Sequence, residues 1–389
     1  MKKTTLCTFA IGMIALLTAT LAQAGWPEGT AAFKAGNLSA AATEFKAVVD
    51  AQPEWPGGHF MYGWTLSRQK KTDQAIVHLR KAYDLDKANE NYKLRLGEAY
   101  VNARRYSDAV GFLSKINAAG LPKDLQGLLS QLKAVAYSKS GQTGRALTEL
   151  AKAAQAKPND ANLQFQWGAM AMKEGDMATA IRALEKAAQL DSGDMEKQRA
   201  VAQAHLKVGR TTRGSGKVGS YQKAAAAARK VVARDASFDN LMLLGGAQLG
   251  AKDYNGAIST FQQASTKSSD WLPLYYIGQA HTATGAHGSA ENALKSALNN
   301  TTDSDSRTKV WKQLGFVYEK QKDYSKAIDA YNRAGDSGGA TRVAENRDTE
   351  KFNRDVEQEN RQIRELEEEK RKLEEELKQL PGGNKPGRP

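Results

Sequence analysis

Alanine returns along this chain at a nearly constant step. Ala41, Ala75, Ala109, Ala146, Ala180, Ala224, Ala257, Ala290 and Ala327 are spaced by about 34 residues. Seven residues after each stands another small or β-branched residue: Val48, Ala82, Ile116, Ala153, Ala187, Val231, Ala264, Ala297 and Ala334. Twelve residues before most of them stands glycine (Gly29, Gly63, Gly97, Gly168, Gly245, Gly278 and Gly315), with Ala134 and Ala202 in the two gaps. Small residues at fixed offsets remove side chains where two helix axes must come close. A period this long is one helix pair, which cannot bury its apolar face alone and must stack on its neighbours. The lattice predicts an all-α fold, an α-solenoid superhelix of about nine helix pairs.

The last repeat spells its pattern most fully, with Trp311, Leu314, Gly315, Tyr318, Tyr324, Ala327, Tyr331 and Ala334. The third supplies Leu96, Gly97, Tyr100, Tyr106 and Ala109, and the seventh Leu244, Gly245, Tyr254, Ala257, Phe261 and Ala264. These residues resemble the tetratricopeptide repeat (TPR) family, whose helix A carries tryptophan, leucine, glycine and tyrosine and whose helix B carries the alanines. The resemblance implies repeats near 25–55, 56–89, 90–123, 127–160, 161–194, 195–237, 238–270, 271–304 and 308–341. The bulky residue four places after the lattice alanine (Phe45, Leu79, Leu113, Leu150, Leu184, Phe261, Leu294, Tyr331) is expected to fill the gap against the next repeat.

Two departures stand out. The helix-ending proline falls in register only at Pro53 and Pro158. In the sixth repeat a basic stretch, 210–220, intervenes between a helix A ending near Gly209 and a helix B beginning near Tyr221. It is expected as a loop, and lengthening the turn this far costs only about 1.3 kcal/mol in closure entropy. The helix B that follows is a run of alanines, Ala224 to Ala228, with no bulky residue at the packing position.

Residues 1–24 hold two lysines, an apolar run from Leu6 to Leu21, and Ala22-Gln23-Ala24 before Gly25. That is the pattern of a cleavable signal peptide; a retained anchor is the alternative, although the run is short for a bilayer span. Cys7 is the sole cysteine and precedes the apolar run, so the chain after cleavage forms no disulfide and no thiolate metal site. No second stretch is long and apolar enough to span a membrane. The alanine-rich, repeat-built sequence has a bacterial character. The periplasm is the expected location, with release outside the cell as the alternative.

After Gly338-Gly339 the character changes, and 342–380 reads as one highly charged helix. Val356, Ile363, Lys370 and Leu377 at heptad position a place Phe352, Glu359, Leu366, Leu373 and Leu380 at d. β-branched residues at a with leucine at d favour a parallel two-stranded coil, which makes Phe352, Val356, Ile363, Leu366, Leu373, Leu377 and Leu380 candidates for homodimerisation. The alternative is a capping helix whose first part, Val343 and Phe352, covers the last repeat while the remainder is solvated. Residues 381–389 read as a disordered tail.

The formal net charge is +13, and because the C-terminal helix is net acidic, nearly all of the excess lies on the repeats. An exported protein rarely meets nucleic acid, so the excess points to acidic proteins, anionic glycans or anionic lipids, or serves solubility alone. The resemblance implies that helix A lines a concave groove through its second, fifth, ninth, twelfth and thirteenth positions. Those slots hold Phe60, Trp64 and Arg68 in repeat two, Gln131 and Lys139 in repeat four, and Phe165, Met172 and Lys173 in repeat five. Arg199, Gln203 and Lys207 follow in repeat six, Tyr275 and Gln279 in repeat eight, and Lys312, Phe316 and Lys320 in repeat nine. Aromatic platforms alternating with cations suit an extended, peptide-like segment with acidic and apolar side chains. The carboxylate clamp of some relatives needs lysine and asparagine where Phe60 and Trp64 stand, so that activity does not carry over.

Catalytic chemistry finds no foothold, and no cofactor or metal is expected. The register assigns His205 and His281 to the usual tyrosine slot, His287 to the later tyrosine slot, His59 to the tryptophan slot, and His78 to helix B. They are expected in packing or surface roles, spread over different repeats and without metal-ligand spacing. Gly214-Ser-Gly216-Lys217-Val218 lacks the glycine spacing, the hydroxyl after lysine and the preceding strand of a phosphate loop. The expected function is a non-enzymatic scaffold docking envelope proteins in a secretion, pilus or motility, or polysaccharide-export assembly. The alternatives are a basic module for anionic glycan or lipid, and a regulatory subunit of an envelope enzyme.

Overall fold

In a computed structural model the structure describes residues 25–214 and 216–379. The signal segment 1–24, Ser215, the seam residue Leu380 and the tail 381–389 lie outside the described residues. Among the described residues there are nineteen α-helices and no strand. The chain divides into two compact units at Ala204/His205, within helix Met195–Thr211.

The first unit is built from the pairs α1 (Trp26–Lys34) and α2 (Leu38–Ala51), α3 (Pro56–Arg68) and α4 (Thr72–Leu85), and α5 (Glu90–Asn102) and α6 (Tyr106–Leu113). It continues with α7 (Lys123–Lys139) and α8 (Thr143–Ala156), α9 (Ala161–Glu174) and α10 (Met177–Leu190), and the start of α11 (Met195–Thr211). The second unit contains α12 (Gly216–Val232), α13 (Phe238–Gly250) and α14 (Tyr254–Lys267), and α15 (Trp271–Ala283) and α16 (His287–Asn299). It closes with α17 (Ser304–Lys320) and α18 (Tyr324–Arg333), then α19 (Ser337–Gln379).

Polar caps start many of these helices. The side chains of Asn37, Asp160 and Asp176, and of Asp253, Asp303 and Asp323, each accept the backbone N–H three residues on. A cap of this kind is worth about 1 kcal/mol. The turn from helix A to helix B has a lattice of its own, five residues before the alanine. Gly36, Gly141, Gly175 and Gly285 take positive φ there, and so do Lys70, Arg104, Lys252 and Lys322, with φ of 63°, 59°, 64° and 60°. The next N–H reaches back five residues to close the helix, as from Lys71 to the Leu66 carbonyl at 3.0 Å. This left-handed closure needs no glycine in half of its occurrences, although each lysine or arginine there carries strain of about 1 kcal/mol.

Every lattice alanine is 0 % exposed. The glycines twelve residues earlier are needed for close approach. A Cβ on Gly63 would stand 2.8 Å from Leu79 Cγ and 2.9 Å from the Leu79 backbone nitrogen, and one on Gly97 would stand 2.2 Å from Leu113 Cδ2. Gly245 meets Phe261, Gly278 meets Leu294 and Gly315 meets Tyr331 in the same way. The bulky residue after the alanine thus seals its own hairpin and also reaches the next repeat, where Phe261 stacks on Tyr276 at 5.1 Å and Leu294 shares a core with Val310 and Leu314.

The sixth repeat differs from its expected form. The stretch 210–220 is largely helical, because α11 runs to Thr211 and α12 starts at Gly216, which leaves only 212–215 between them. The bulky residue missing from the alanine run is supplied one turn earlier. The Tyr221 ring, 8 % exposed, lies so close to Gly209 and Gly250 that a Cβ would come within 3.0 and 2.4 Å of it. Burying that ring extends α12 backward through Gly216–Ser220.

The C-terminal helix begins at Ser337, five residues before the expected start, with Gly338 and Gly339 in its first turn. Ala340 and Val343, 7 % and 0 % exposed, pack into the core of the last repeat with Val317, Tyr318 and Tyr331. Arg342 donates to both carboxylate oxygens of Glu319, at 2.5 and 2.9 Å. Farther along, Lys322 pairs with Glu350 at 3.1 Å. The helix leaves the repeats there: residues 351–378 are all exposed, and Phe352, expected to help cover the last repeat, is 66 % exposed. No helix among the described residues is long and apolar enough to cross a membrane.

Candidate functional site

The first unit places a row of aromatic rings on its helix A side. Phe33 of α1 lies 4.7 Å from Trp64 of α3, Trp64 lies 5.7 Å from Phe60, and Phe60 lies 4.8 Å from Tyr92 of α5, centroid to centroid. Three successive helices A thus contribute to one apolar strip. Arg68 stacks over Phe33 at 5.0 Å and Arg95 over Trp64 at 4.5 Å, so each end of the central rings carries a guanidinium. Phe60 is buried, Trp64 and Tyr92 are partly exposed, and Arg68 is exposed. Burial, with a smaller contribution from Asp86, raises the Tyr92 phenol above its usual value, so it stays a neutral donor.

Next to this strip α5 holds buried polar atoms without a hydrogen-bond partner: Glu90 Oε2, Asn91 Oδ1 and Arg95 Nε. Two of these residues do have other partners, Lys93 for Glu90 at 2.9 Å and Glu98 for Arg95 at 2.7 Å. Two acceptors and one donor are thus left over on one helix, and because all three atoms are shielded from solvent they are a local cost to α5 rather than an open docking edge.

The sequence pattern named Phe60, Trp64 and Arg68, and the structure brings these three together. It missed Phe33, Tyr92 and Arg95. Phe33 fills the twelfth slot of its helix, which the groove rule already assigns to this face; Tyr92 and Arg95 fall on the third and sixth, which it does not. Elsewhere in the first unit Gln131 and Met172 are partly exposed, and Lys139 and Lys173 are exposed. Phe165 lies 6.0 Å from the ammonium of Lys197, a buried lysine held by Asp191 at 3.1 Å and by a short bond to Asp194. Arg199 is partly exposed and Gln203 is exposed.

In the second unit Lys207 is exposed. Tyr275 packs against Trp271 and Tyr276, at 5.5 and 5.6 Å, and bonds Gln279. Burial raises its phenol as well. Phe316 is 39 % exposed with Lys320 stacked over it at 5.2 Å. Lys312 is committed elsewhere, 3.1 Å from Asp336, the residue that caps α19.

Two histidines depart from their expected separation. His59 and His78 belong to the same repeat and meet Nδ1 to Nδ1 at 3.0 Å across the α3–α4 hairpin, with rings stacked at 5.3 Å. His59 Nε2 lies 2.9 Å from the Pro53 carbonyl, which can only accept. His59 therefore carries its proton on Nε2, and its bare Nδ1 accepts from His78 Nδ1–H. Desolvation, then the neighbouring His59, lowers the His78 pKa below its usual 6.5. Among the described residues no group of three or more potential metal ligands gathers.

Comparison with known proteins gives the repeats a family. Tetratricopeptide repeat family models match residues 66–132, residues 308–334, and, in a third model, residues 27–91, 132–195 and 216–270. No curated protein matches the chain. Among solved structures, the C-terminal part of a TPR repeat-containing protein from Cytophaga hutchinsonii aligns with 15% identity and a TM-score of 0.46, over 62% of this chain and 93% of its own. YrrB, described as a TPR protein with an unusual peptide-binding site, aligns with 20% identity and a TM-score of 0.43, over 53% of this chain and 97% of its own. MamA from Desulfovibrio magneticus aligns with 19% identity and a TM-score of 0.38, over 45% of this chain and 94% of its own.

Proposed function

Because the chain belongs to the tetratricopeptide repeat family, we propose that it is a non-enzymatic scaffold of the bacterial cell envelope that docks an extended segment of a partner protein on its helix A face. The observation that carries this reading is the strip Phe33–Trp64–Phe60–Tyr92, flanked by Arg68 and Arg95. Rings offer desolvating platforms at low entropic cost, and the exposed Arg68 guanidinium selects carboxylates. The favoured ligand is a peptide segment that alternates apolar and acidic side chains. The leader-like residues 1–24 support export, the periplasm being the proposed compartment and an envelope secretion, pilus, motility or polysaccharide-export assembly the proposed setting. The C-terminal helix serves as a self-association arm.

A photo-cross-linking residue at Arg68 in intact cells, with mass spectrometry of the adduct, tests the docking. A discrete protein adduct that disappears with Trp64→Ala, while helicity is kept, is the expected result. Charge reversal at Lys139 and Lys173 should weaken the adduct. The net charge of +13 favours a second reading, an anionic glycan or lipid ligand. Binding that collapses in salt yet survives Trp64→Ala plus Phe165→Ala would select it.

A further inference from the structure

Beyond residue 350 helix α19 presents one apolar seam to solvent. Phe352, Val356, Ile363, Leu366, Leu373 and Leu377 are between 37 % and 66 % exposed. Two charged residues interrupt the seam, Glu359 at a d position and Lys370 at an a position. Lys370 lies 3.9 Å from Glu374 on its own helix and is 79 % exposed, so it is loosely held. Those two interruptions decide how a second copy can pair.

In a parallel coil a layers stack on a layers and d on d. Lys370 would then face Lys370 of the other copy, and Glu359 would face Glu359. The flanking positions add Glu369 against Glu374. In an antiparallel coil a layers stack on d layers instead. One register makes every layer complementary: Leu377 on Phe352, Lys370 on Glu359, Ile363 on Leu366, and Val356 on Leu373. Two-fold symmetry repeats each layer. Shifting by one heptad either way sets Lys370 against Phe352 or Leu366. The same register puts Glu367 and Glu374 opposite Asn360 and Asn353, and Glu369 opposite Gln362, leaving Asp355 and Glu376 as its one like-charged flank pair.

We propose that two copies of this chain pair antiparallel through residues 352–377, with the register fixed by reciprocal Lys370–Glu359 contacts about a two-fold axis between Arg364 and Glu365. This rests on reading the helix as a self-association arm and adds its direction and register. The preference of β-branched a and leucine d residues for parallel pairing is outweighed, because it would bury two like-charged layers. An antiparallel arm holds two repeat arrays at opposite ends of a rod. Residues 352–377 span about 37 Å at the helical rise.

Charge swaps and a distance test the proposal. Light scattering on the full chain should show a dimer. Lys370→Glu or Glu359→Lys alone should weaken it about tenfold or more, and the two together should restore it. A spin label at Glu375→Cys, in a Cys7→Ser background, should report labels separated by roughly 30 Å along the axis, because each lies about ten residues from the two-fold axis. Labels side by side, or a double reversal that fails to restore pairing, would overturn the antiparallel register and leave the arm intact. A monomer at all concentrations would overturn both.

Discussion

Val343 and Phe352 lie nine residues apart on one helix, yet Val343 is 0 % exposed and Phe352 is 66 % exposed. Before Glu350 the helix is part of the repeat array. Its first turns occupy the place of another helix A, capped by Asp336 and sealed by Val343 against Tyr318 and Tyr331. After Glu350 the described residues of this helix are exposed and held mainly by contacts along the helix itself, such as Lys372 to Glu368 at 3.3 Å. The array is stable because neighbouring pairs bury each other's small residues; the arm is helical because its composition favours helix and its charges alternate. Stability in the array should therefore respond steeply to single atoms, and in the arm hardly at all.

The largest effect is expected at Gly63. Its Cβ position is blocked by Leu79 Cγ and by two backbone atoms, Leu79 N and Ala75 O at 2.9 and 3.1 Å, which cannot rotate away. Gly63→Val should destabilise the first unit by about 3 kcal/mol, despite the better helix propensity of valine. Chemical denaturation followed by circular dichroism checks this. A loss under about 1 kcal/mol would mean the hairpin can open without cost, and the contrast with the arm would weaken.

Second is Val343→Ala, which should cost on the order of 2 kcal/mol by leaving a cavity against the last repeat. Amide exchange should rise through the first turns of α19 and not in the arm, which has no such contact to lose.

Much of the array was legible in the sequence because its determinants are local and periodic. Ala41 and its eight counterparts mark closest approach, and each is fully buried. What escaped depended on contacts between different slots. His59 and His78 looked separate because one fills a helix A slot and the other a helix B slot, yet a hairpin sets those slots face to face. The left-handed turn position was hidden at Lys70, Arg104, Lys252 and Lys322, where a charged residue stands in place of glycine. Repeat six read as a loop because Gly214, Gly216 and Gly219 suggest one, whereas Tyr221 packing on Gly209 and Gly250 draws the segment into helix. The aromatic strip was half legible: Phe60 and Trp64 fall on family slots, Tyr92 and Arg95 do not.

A third, smaller effect concerns the boundary between the two regions. The Arg342 guanidinium, bonded to Glu319, holds that carboxyl below its ordinary 4.5, and the Tyr331 hydroxyl assists. The folded chain then keeps a carboxylate that the unfolded chain would protonate. The stabilisation is complete above pH 4.5 and drains away as pH falls through the lower folded value. Arg342→Ala should remove about 1 kcal/mol at neutral pH, since the guanidinium is half exposed and water screens the pair from its side. It should also flatten the acid limb of the stability profile. An unchanged acid limb would place the acid sensitivity elsewhere, for instance in the low-pKa carboxylates of Asp303 and Asp323.

The smallest effect is expected in the arm, and it is the sharpest test of the comparison. Ile363 is 46 % exposed and Leu294, in the array, is 0 % exposed. Serine at Leu294 leaves a cavity and a buried hydroxyl, and should cost about 2–3 kcal/mol. Serine at Ile363 removes no contact with the repeats, so at a dilution where chains are separate the array should unfold within about 0.5 kcal/mol of the parent. Raising the concentration should then distinguish the two chains, because the proposed pairing places Ile363–Leu366 layers in the parent that the variant lacks. A shift of array melting by Ile363→Ser in dilute solution would mean that the arm folds back on the repeats, and the division at Glu350 would have to be moved.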